Sequence, residues 1–493
     1  MLRTFKFAIL LAFMFSSTFL KAEGIELLFK SEKPHQVTIL ESGLAAFQKR
    51  LDLIEQAQSS IDLEYFIYND DRAGKILSQA LARAAKRGVK VRLILDNFMV
   101  ARTISAFLAQ EFVDLGMDVR FYNTSPLIIL WKSQYRNHRK TFLVDRKKII
   151  LGGRNIGDEY FDLSHEYNFV DRDMLVEGEI VKDIANTFDM IWDSPLSENL
   201  RRPKRPEWSD LKYKRASRTQ RQKLWNQFQD DRKRWDADLE KAKKFMQTDE
   251  KIQDDTLQIE TIARAHLSEQ VSGTCPSVTF ATDHPWVAPL RHDETRFLKH
   301  EIFRRVERVD RELEIDSPYF ILSEETTPLL NHLLEDKKAE VKLLTNGLYS
   351  TDAIYVASVF NARIPKWIEK GLKAYVYSGD VQKDYPVIEN EISESRWGTH
   401  SKTFVFDQKD FFIGSYNIDP RSSIYSLEMG LFCDGNPELA GQVSGLLQKR
   451  RDNSIYLKTV EDVSKYEFSR ISWAKRLGYY LTAVPASLFD YLL

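Results

Sequence analysis

At 493 residues the chain is too long for one ordinary hydrophobic core, so two domains or one duplicated unit is the expectation. Apolar residues at 43% and aromatics at 12%, with ordinary glycine and proline, exclude a disordered or collagen-like chain. A formal net charge of -1 removes the whole-chain footprint of a nonspecific nucleic-acid binder, although a local basic groove can sit inside a neutral total.

Arg3 and Lys6 precede an apolar run from Phe7 to Leu20, followed by Lys21-Ala22-Glu23. This pattern reads as a secretory signal over residues 1–22 and predicts export to the periplasm or its membrane face, with an uncleaved anchor as the alternative. Ser42 is placed to cap a helix carrying Leu44, Phe47, Leu51 and Ile54 at helical spacing, and Ile61 to Ile67 follows as a strand. A helix from Ile76 to Arg87, stopped by Gly88, leads into the strand Val89 to Leu95. The same order returns later. Phe297 to Val309 reads as a helix, Leu313 to Ser317 as a strand and Pro328 to Leu334 as a helix. Val341-Lys342-Leu343-Leu344 echoes Val89 to Leu93, and Gly371 to Tyr377 echoes Gly116 to Tyr122.

The fold class is therefore α/β, built from two similar units, each a mixed sheet flanked by helices and packed as a pseudo-twofold pair. The division places one domain at 23–196, a charged and mostly helical insertion at 197–260 and a second domain at 261–493. The insertion, with Trp208, Trp225 and Trp235, reads as a solvated segment with aromatics packed on the body, or as a membrane-surface flap. Near the C-terminus, Leu477, Leu481, Val484 and Leu488 follow helical spacing beside Trp473 and Tyr480, with Pro485 expected to bend or break the helix. Such a segment suits a membrane interface or packing on the protein's own body. Cys433 reads as a buried thiol in a strand, and the pattern supports neither a disulfide nor a metal site with the distant Cys275.

The chemistry lies in a repeated constellation. The first half carries His138, Lys140, Asp145, Asn155 and Glu166, and the second carries His400, Lys402, Asp407, Ser415, Asn417 and Glu428. In both halves 17 residues run from histidine to asparagine and 28 from histidine to glutamate. One short motif arises by chance; two copies with shared offsets do not. In an extended strand start, residues two apart share a face, so His138 projects with Lys140 and His400 with Lys402.

Phosphodiesters resist attack because their charge repels nucleophiles and an alkoxide leaves poorly, so catalysis needs cations and an in-line proton donor. Two facing half-sites supply these. One imidazole attacks phosphorus, giving a phosphohistidine, while the other protonates the leaving oxygen. Lys140, Lys402, Asn155 and Asn417 would hold phosphoryl oxygens, and Glu166 and Glu428 would fix the imidazole tautomers. Asp145 and Asp407, each at the far end of an apolar strand, read as hairpin or salt-bridge elements.

These residues resemble the His-Lys-Asp signature of the phospholipase D superfamily, which counts Asp145 and Asp407 with the catalytic set. The runs Gly152 to Phe161 and Gly414 to Ser422 are similar to bacterial cardiolipin synthases, most of all the C-type. The resemblance implies a transfer without cofactor or metal, in which a phosphatidyl group passes through phosphohistidine to a second lipid alcohol, with His138 as nucleophile and His400 as acid and base. Phospholipids and a membrane surface are the implied partners, with no nucleic acid, and one monomer suffices for one site. An exported nuclease of the same superfamily is the alternative. Arg139 and Ser426 stand where that family commonly has asparagines.

Overall fold

A computed structural model of the chain describes residues 27–125, 134–208, 217–267, 270–285, 293–382, 385–467 and 470–488. The signal expected at residues 1–22 lies outside the described residues. First-half strands are β1 (Leu28–Ser31), β2 (His35–Leu40), β3 (Ser60–Tyr65), β4 (Lys90–Asp96), β5 (Met117–Tyr122), β6 (Thr141–Val144), β7 (Lys148–Gly152), β8 (Tyr167–Val170), β9 (Asp173–Glu177) and β10 (Ser197–Asn199). The second half follows with β11 (Ser272–Cys275), β12 (Ser277–Thr282), β13 (Glu312–Asp316), β14 (Glu340–Asn346), β15 (Lys373–Tyr377), β16 (Arg396–Thr399), β17 (Thr403–Phe406), β18 (Asp410–Gly414), β19 (Met429–Asp434) and β20 (Ser454–Leu457).

One sheet runs β10-β5-β4-β3-β6-β7-β9-β2-β11 and the other β20-β15-β14-β13-β17-β18-β19-β12-β1, so the two match position by position. β3, β4 and β5 pair in parallel, as do β13, β14 and β15. Parallel neighbours need crossovers, and helices such as Arg72–Lys86 and Ile354–Glu369 supply them. The remaining neighbours are antiparallel, and β6 with β7 and β17 with β18 form hairpins. The architecture is a duplicated α/β fold. Its edge strands are exchanged: β1 lies against β12 in the second sheet, and β11 against β2 in the first.

Helix Gly43–Gln56 begins where Ser42 caps it, its side chain accepting from Ala45 N at 3.3 Å. Between the two sheets lies a shared core in which Ile39, Leu143 and Ile149 cluster with Val405, Phe411 and Ile413. Burying this apolar layer fixes the two halves against each other. Cys275 and Cys433 join in a disulfide within it, their Cα atoms 5.4 Å apart. This corrects the thiol reading. The β12–β19 register, which sets Val278 opposite Cys433, brings together residues 158 apart in sequence.

The insertion forms helices Arg218–Met246 and Glu250–Leu267, which pack on the first half's helices Ala106–Asp114 and Gly43–Gln56. Trp235 meets the Phe107 ring edge at 5.6 Å, and Trp208, Trp225 and Phe228 cluster together. Helix Trp473–Leu488 packs on helix Ile354–Glu369 and continues past Pro485. No described helix is long and apolar enough to cross a membrane.

Candidate active site

Each motif histidine sits just before a central strand, and the opposite half holds it there. Backbone His138 N donates to Leu427 O at 3.0 Å, and His400 N to Val170 O at 3.0 Å. Asn137 bridges Leu427 in parallel, and β16 pairs with β8 in parallel, so the approach to each histidine lies against the other half's approach to a carboxylate.

That crossing decides the partners. Nδ1 of His138 lies 3.0 Å from both Glu428 oxygens, and Nδ1 of His400 lies 2.7 Å from Asp171 Oδ2. Glu428 therefore holds the first half's histidine, as a tautomer-fixing group does. Glu166 does not hold His400. It is exposed, and its place is taken by Asp171, which counting from the histidine misses. The cue lies in strand register: Gly414 pairs with Gly430 and Gly152 with Asp173, so Glu428 and Asp171 both stand two residues before the partner of a β-strand glycine. Five extra residues in the first half displace the equivalent carboxylate from position 166 to 171. Gly153 makes room for it, since a Cβ there would fall 2.2 Å from Asp171 Oδ1.

The supports are polar and buried. Ser415 Oγ and Ser422 Oγ both donate to Glu428, the latter at 2.8 Å. Arg172 N donates to Asp171 Oδ1 at 2.7 Å. Behind His138, Glu64 accepts from Asn137 Nδ2 at 2.6 Å and pairs with Arg139 at 3.1 Å, which accounts for arginine at that position. Behind His400, Asn346 brackets Thr399, accepting from its N at 2.8 Å and donating to its O at 2.7 Å. Lys140 Nζ donates to His138 O at 2.6 Å, and Lys402 Nζ donates to His400 O while lying 3.0 Å from His400 Nδ1. Aromatic rings wall the pocket: Phe66 lies 5.0 Å from His138, with Tyr160 at 5.4 Å and Phe169 at 4.8 Å from His400. Tyr160 and Ser422 lie within the two runs that resemble the family but had no role assigned to them, and Phe66 and Phe169 carried no signal, because apolar residues near a motif are ordinary.

Asn155 and Asn417 are both buried beside this pocket. Asn155 Oδ1 accepts from Ile67 N at 3.1 Å, whereas the buried Asn417 Oδ1 has no hydrogen-bond partner among the described residues. Asp145 and Asp407 lie at the opposite ends of their strands. Asp145 accepts from the backbone of Gln58, Ser59 and Ser60, and Asp407 from that of Asp310, Arg311 and Glu312. They hold the loops entering β3 and β13 and touch neither histidine.

Burial governs the charges. It pushes Lys140 down to about 7 and Lys402 to about 8, and pushes Glu428 up to about 7 against the pull of Lys140 and the two serines. Burial and Lys402 push His400 down to about 4 despite Asp171. His138 falls well below its ordinary value through burial, then Lys140, Lys402 and Arg421. Asp171 stays well below the carboxylate range because His400, Lys402 and Arg154 outweigh its burial. Each lysine thus acts on both imidazoles, so the two half-sites share one electrostatic pocket. Among the described residues no group of three or more histidine, cysteine or carboxylate side chains is arranged to hold a metal ion.

The family described as "Cardiolipin synthase, PLD-like domain" matches residues 51–192 and 302–450, together more than half of the chain. The chain belongs to this family. Membership places it among the phospholipase D superfamily enzymes of the phosphatidyltransferase kind. Cardiolipin synthase C of Escherichia coli (strain K12) is 28% identical over 466 residues, covering 90% of each chain. Major cardiolipin synthase ClsA of Bacillus subtilis (strain 168) is 34% identical over 161 residues, about a third of each. The crystal structure of phosphatidylserine synthase from Haemophilus influenzae Rd KW20 shares the fold, with a TM-score of 0.63 at 15% identity over 93% of this chain and 95% of that one.

Proposed function

We propose that the protein transfers a phosphatidyl group between lipid alcohols in the manner of a cardiolipin synthase, through a phosphohistidine. The supporting observation is the reciprocal hold on the two imidazoles: with both Nδ1 atoms facing carboxylates, each Nε2 is left for the pocket. In the first step His138 Nε2 attacks phosphorus, the bond to the donor's head-group oxygen breaks, and His400 gives that oxygen a proton. In the second, His400 takes the proton from an acceptor alcohol, the alcohol oxygen attacks phosphorus, and the phosphorus–nitrogen bond breaks. Lys140 and Lys402 offset the phosphoryl charge, and a bound anion raises the readiness of His400 to hold a proton. Asn155 and Asn417 border the oxygens. Water in place of the alcohol gives phospholipase D hydrolysis from the same intermediate.

One chain carries both half-sites, so a monomer completes the centre. Export is favoured by the basic-then-apolar start and by the buried disulfide, which suits an oxidising compartment. The test is product analysis by mass spectrometry after incubation with phosphatidylethanolamine and phosphatidylglycerol, and separately with DNA. Cardiolipin or released head group, abolished by His138→Ala, is the expected result. DNA cleavage without lipid turnover would reject the proposal in favour of a nuclease.

A further inference from the structure

We infer that helix Trp473–Leu488 is the surface by which the enzyme seats itself on a phospholipid bilayer, beside the mouth of its active site. The inference rests on the lipid reading above and adds where the lipid surface meets the protein. The helix is amphipathic the wrong way round for water. Its inward face is Lys475, Gly478, Tyr479 and Thr482: Tyr479 is buried with Leu348 and Ala357, and Gly478 faces Ile354. Its outward face is apolar, with Trp473 79%, Leu477 51%, Tyr480 57% and Leu481 67% exposed. These four stand at successive i, i+4, i+7 and i+8 positions and so form one stripe. A stripe of leucines with tryptophan and tyrosine, with exposed Arg476 close by, has the chemistry of a helix lying in the headgroup layer.

The position of the helix supplies the second argument. Phospholipid acyl chains must stay in the bilayer while the phosphate reaches the histidines, so an apolar seat belongs next to the mouth. A short relay of contacts links the two. The His400 ring lies 4.8 Å from Phe169, and Phe169 lies 4.8 Å from Tyr167. Tyr167 Oη donates to Ser350 O at 2.6 Å, and Lys475 Nζ donates to Tyr349 O and Thr351 O at 3.3 Å each. Helix and catalytic centre therefore brace the same segment, residues 349–351, from two sides.

Both cysteines are in the disulfide, so Leu477→Cys offers a free thiol for a nitroxide label, and Leu257→Cys, 63% exposed on the insertion, is the control. The full chain is bound to vesicles of mixed phosphatidylethanolamine and phosphatidylglycerol, and label collisions with oxygen and with a water-soluble nickel chelate are read by electron paramagnetic resonance. The label at 477 is expected to gain oxygen contact and lose nickel contact on vesicle addition, while that at 257 stays as in water. A label at 477 that remains as water-exposed as that at 257 overturns the inference. In parallel, Leu477→Asp with Leu481→Asp is expected to lower turnover of vesicle lipid about tenfold or more while sparing a dispersed short-chain phospholipid. Equal turnover of vesicle lipid by variant and parent also overturns it. If the parent turns over neither lipid, the catalytic reading fails, and the label still reports on the helix.

Discussion

Replacing Asp171 by asparagine tests the crossed architecture most directly. Asp171 Oδ1 accepts from Arg172 N at 2.7 Å, so after the substitution the amide oxygen must stay on that side. The amide NH2 then faces His400 Nδ1, at the place where Oδ2 stood 2.7 Å away. An NH2 group cannot accept from Nδ1–H, so His400 is driven to carry its proton on Nε2, where the second step needs a lone pair. A tautomer error of this kind costs about a hundredfold to ten-thousandfold in kcat, or about 3 to 5.5 kcal/mol of transition-state stabilisation. KM should rise less than kcat falls: Lys140 and Lys402 keep their places, and the loss of the Asp171 charge, which helps Lys402 hold its proton, weakens phosphate binding only through that lysine. The assay is single-turnover phosphatidyl transfer followed by mass spectrometry, with thermal melting to confirm folding and the exposed Glu166→Gln as control. Glu166→Gln is expected within about twofold of the parent. Asp171→Asn activity within about fivefold of the parent, or an equal loss in Glu166→Gln, would refute the reasoning.

Asp145→Ala removes the acceptor for three backbone N–H groups and should destabilise by about 1–3 kcal/mol in a melt, with kcat of the surviving folded enzyme near that of the parent. Those N–H groups hold the Asp145 carboxyl below its usual range against burial, so its stabilisation is present above its unfolded pKa and is lost as pH falls through the lowered folded one. A Cys275→Ala, Cys433→Ala double variant should lose about 2–5 kcal/mol, since the bridge closes residues 158 apart; an unchanged Tm would contradict the placement. Burial lowers Lys140 to about 7 and Lys402 to about 8, and each is charged only below those values. KM for the phosphodiester should therefore climb as pH rises through this range, more steeply than kcat falls, and a flat KM from pH 7 to 9 would argue against lysine charge in binding.

Several parts of this protein were open to reading along the chain because they are local. The Ser42 cap, the strands carrying Ile61 and Val91, and the paired His138–Lys140 and His400–Lys402 follow from spacing within a few residues. The family resemblance rests on those short runs, and the domain match agrees with it. Asp145 and Asp407 were also legible as turn residues, since strand-end geometry is local too.

What required tertiary structure was every relation between the halves. Equal spacing pointed to Glu166, yet the five-residue extension in the first half moves the carboxylate that faces His400 to Asp171, and only strand register reveals it. The exchange of β1 and β11, and the disulfide made between distant strands, depend on which edges meet. The outward apolar face of helix Trp473–Leu488 likewise needed the packing, because periodicity gives a stripe but not the side it faces. Sequence fixes side-chain chemistry and short-range spacing; which groups meet across hundreds of residues is set by the burial of two sheets against each other, a property of the folded whole.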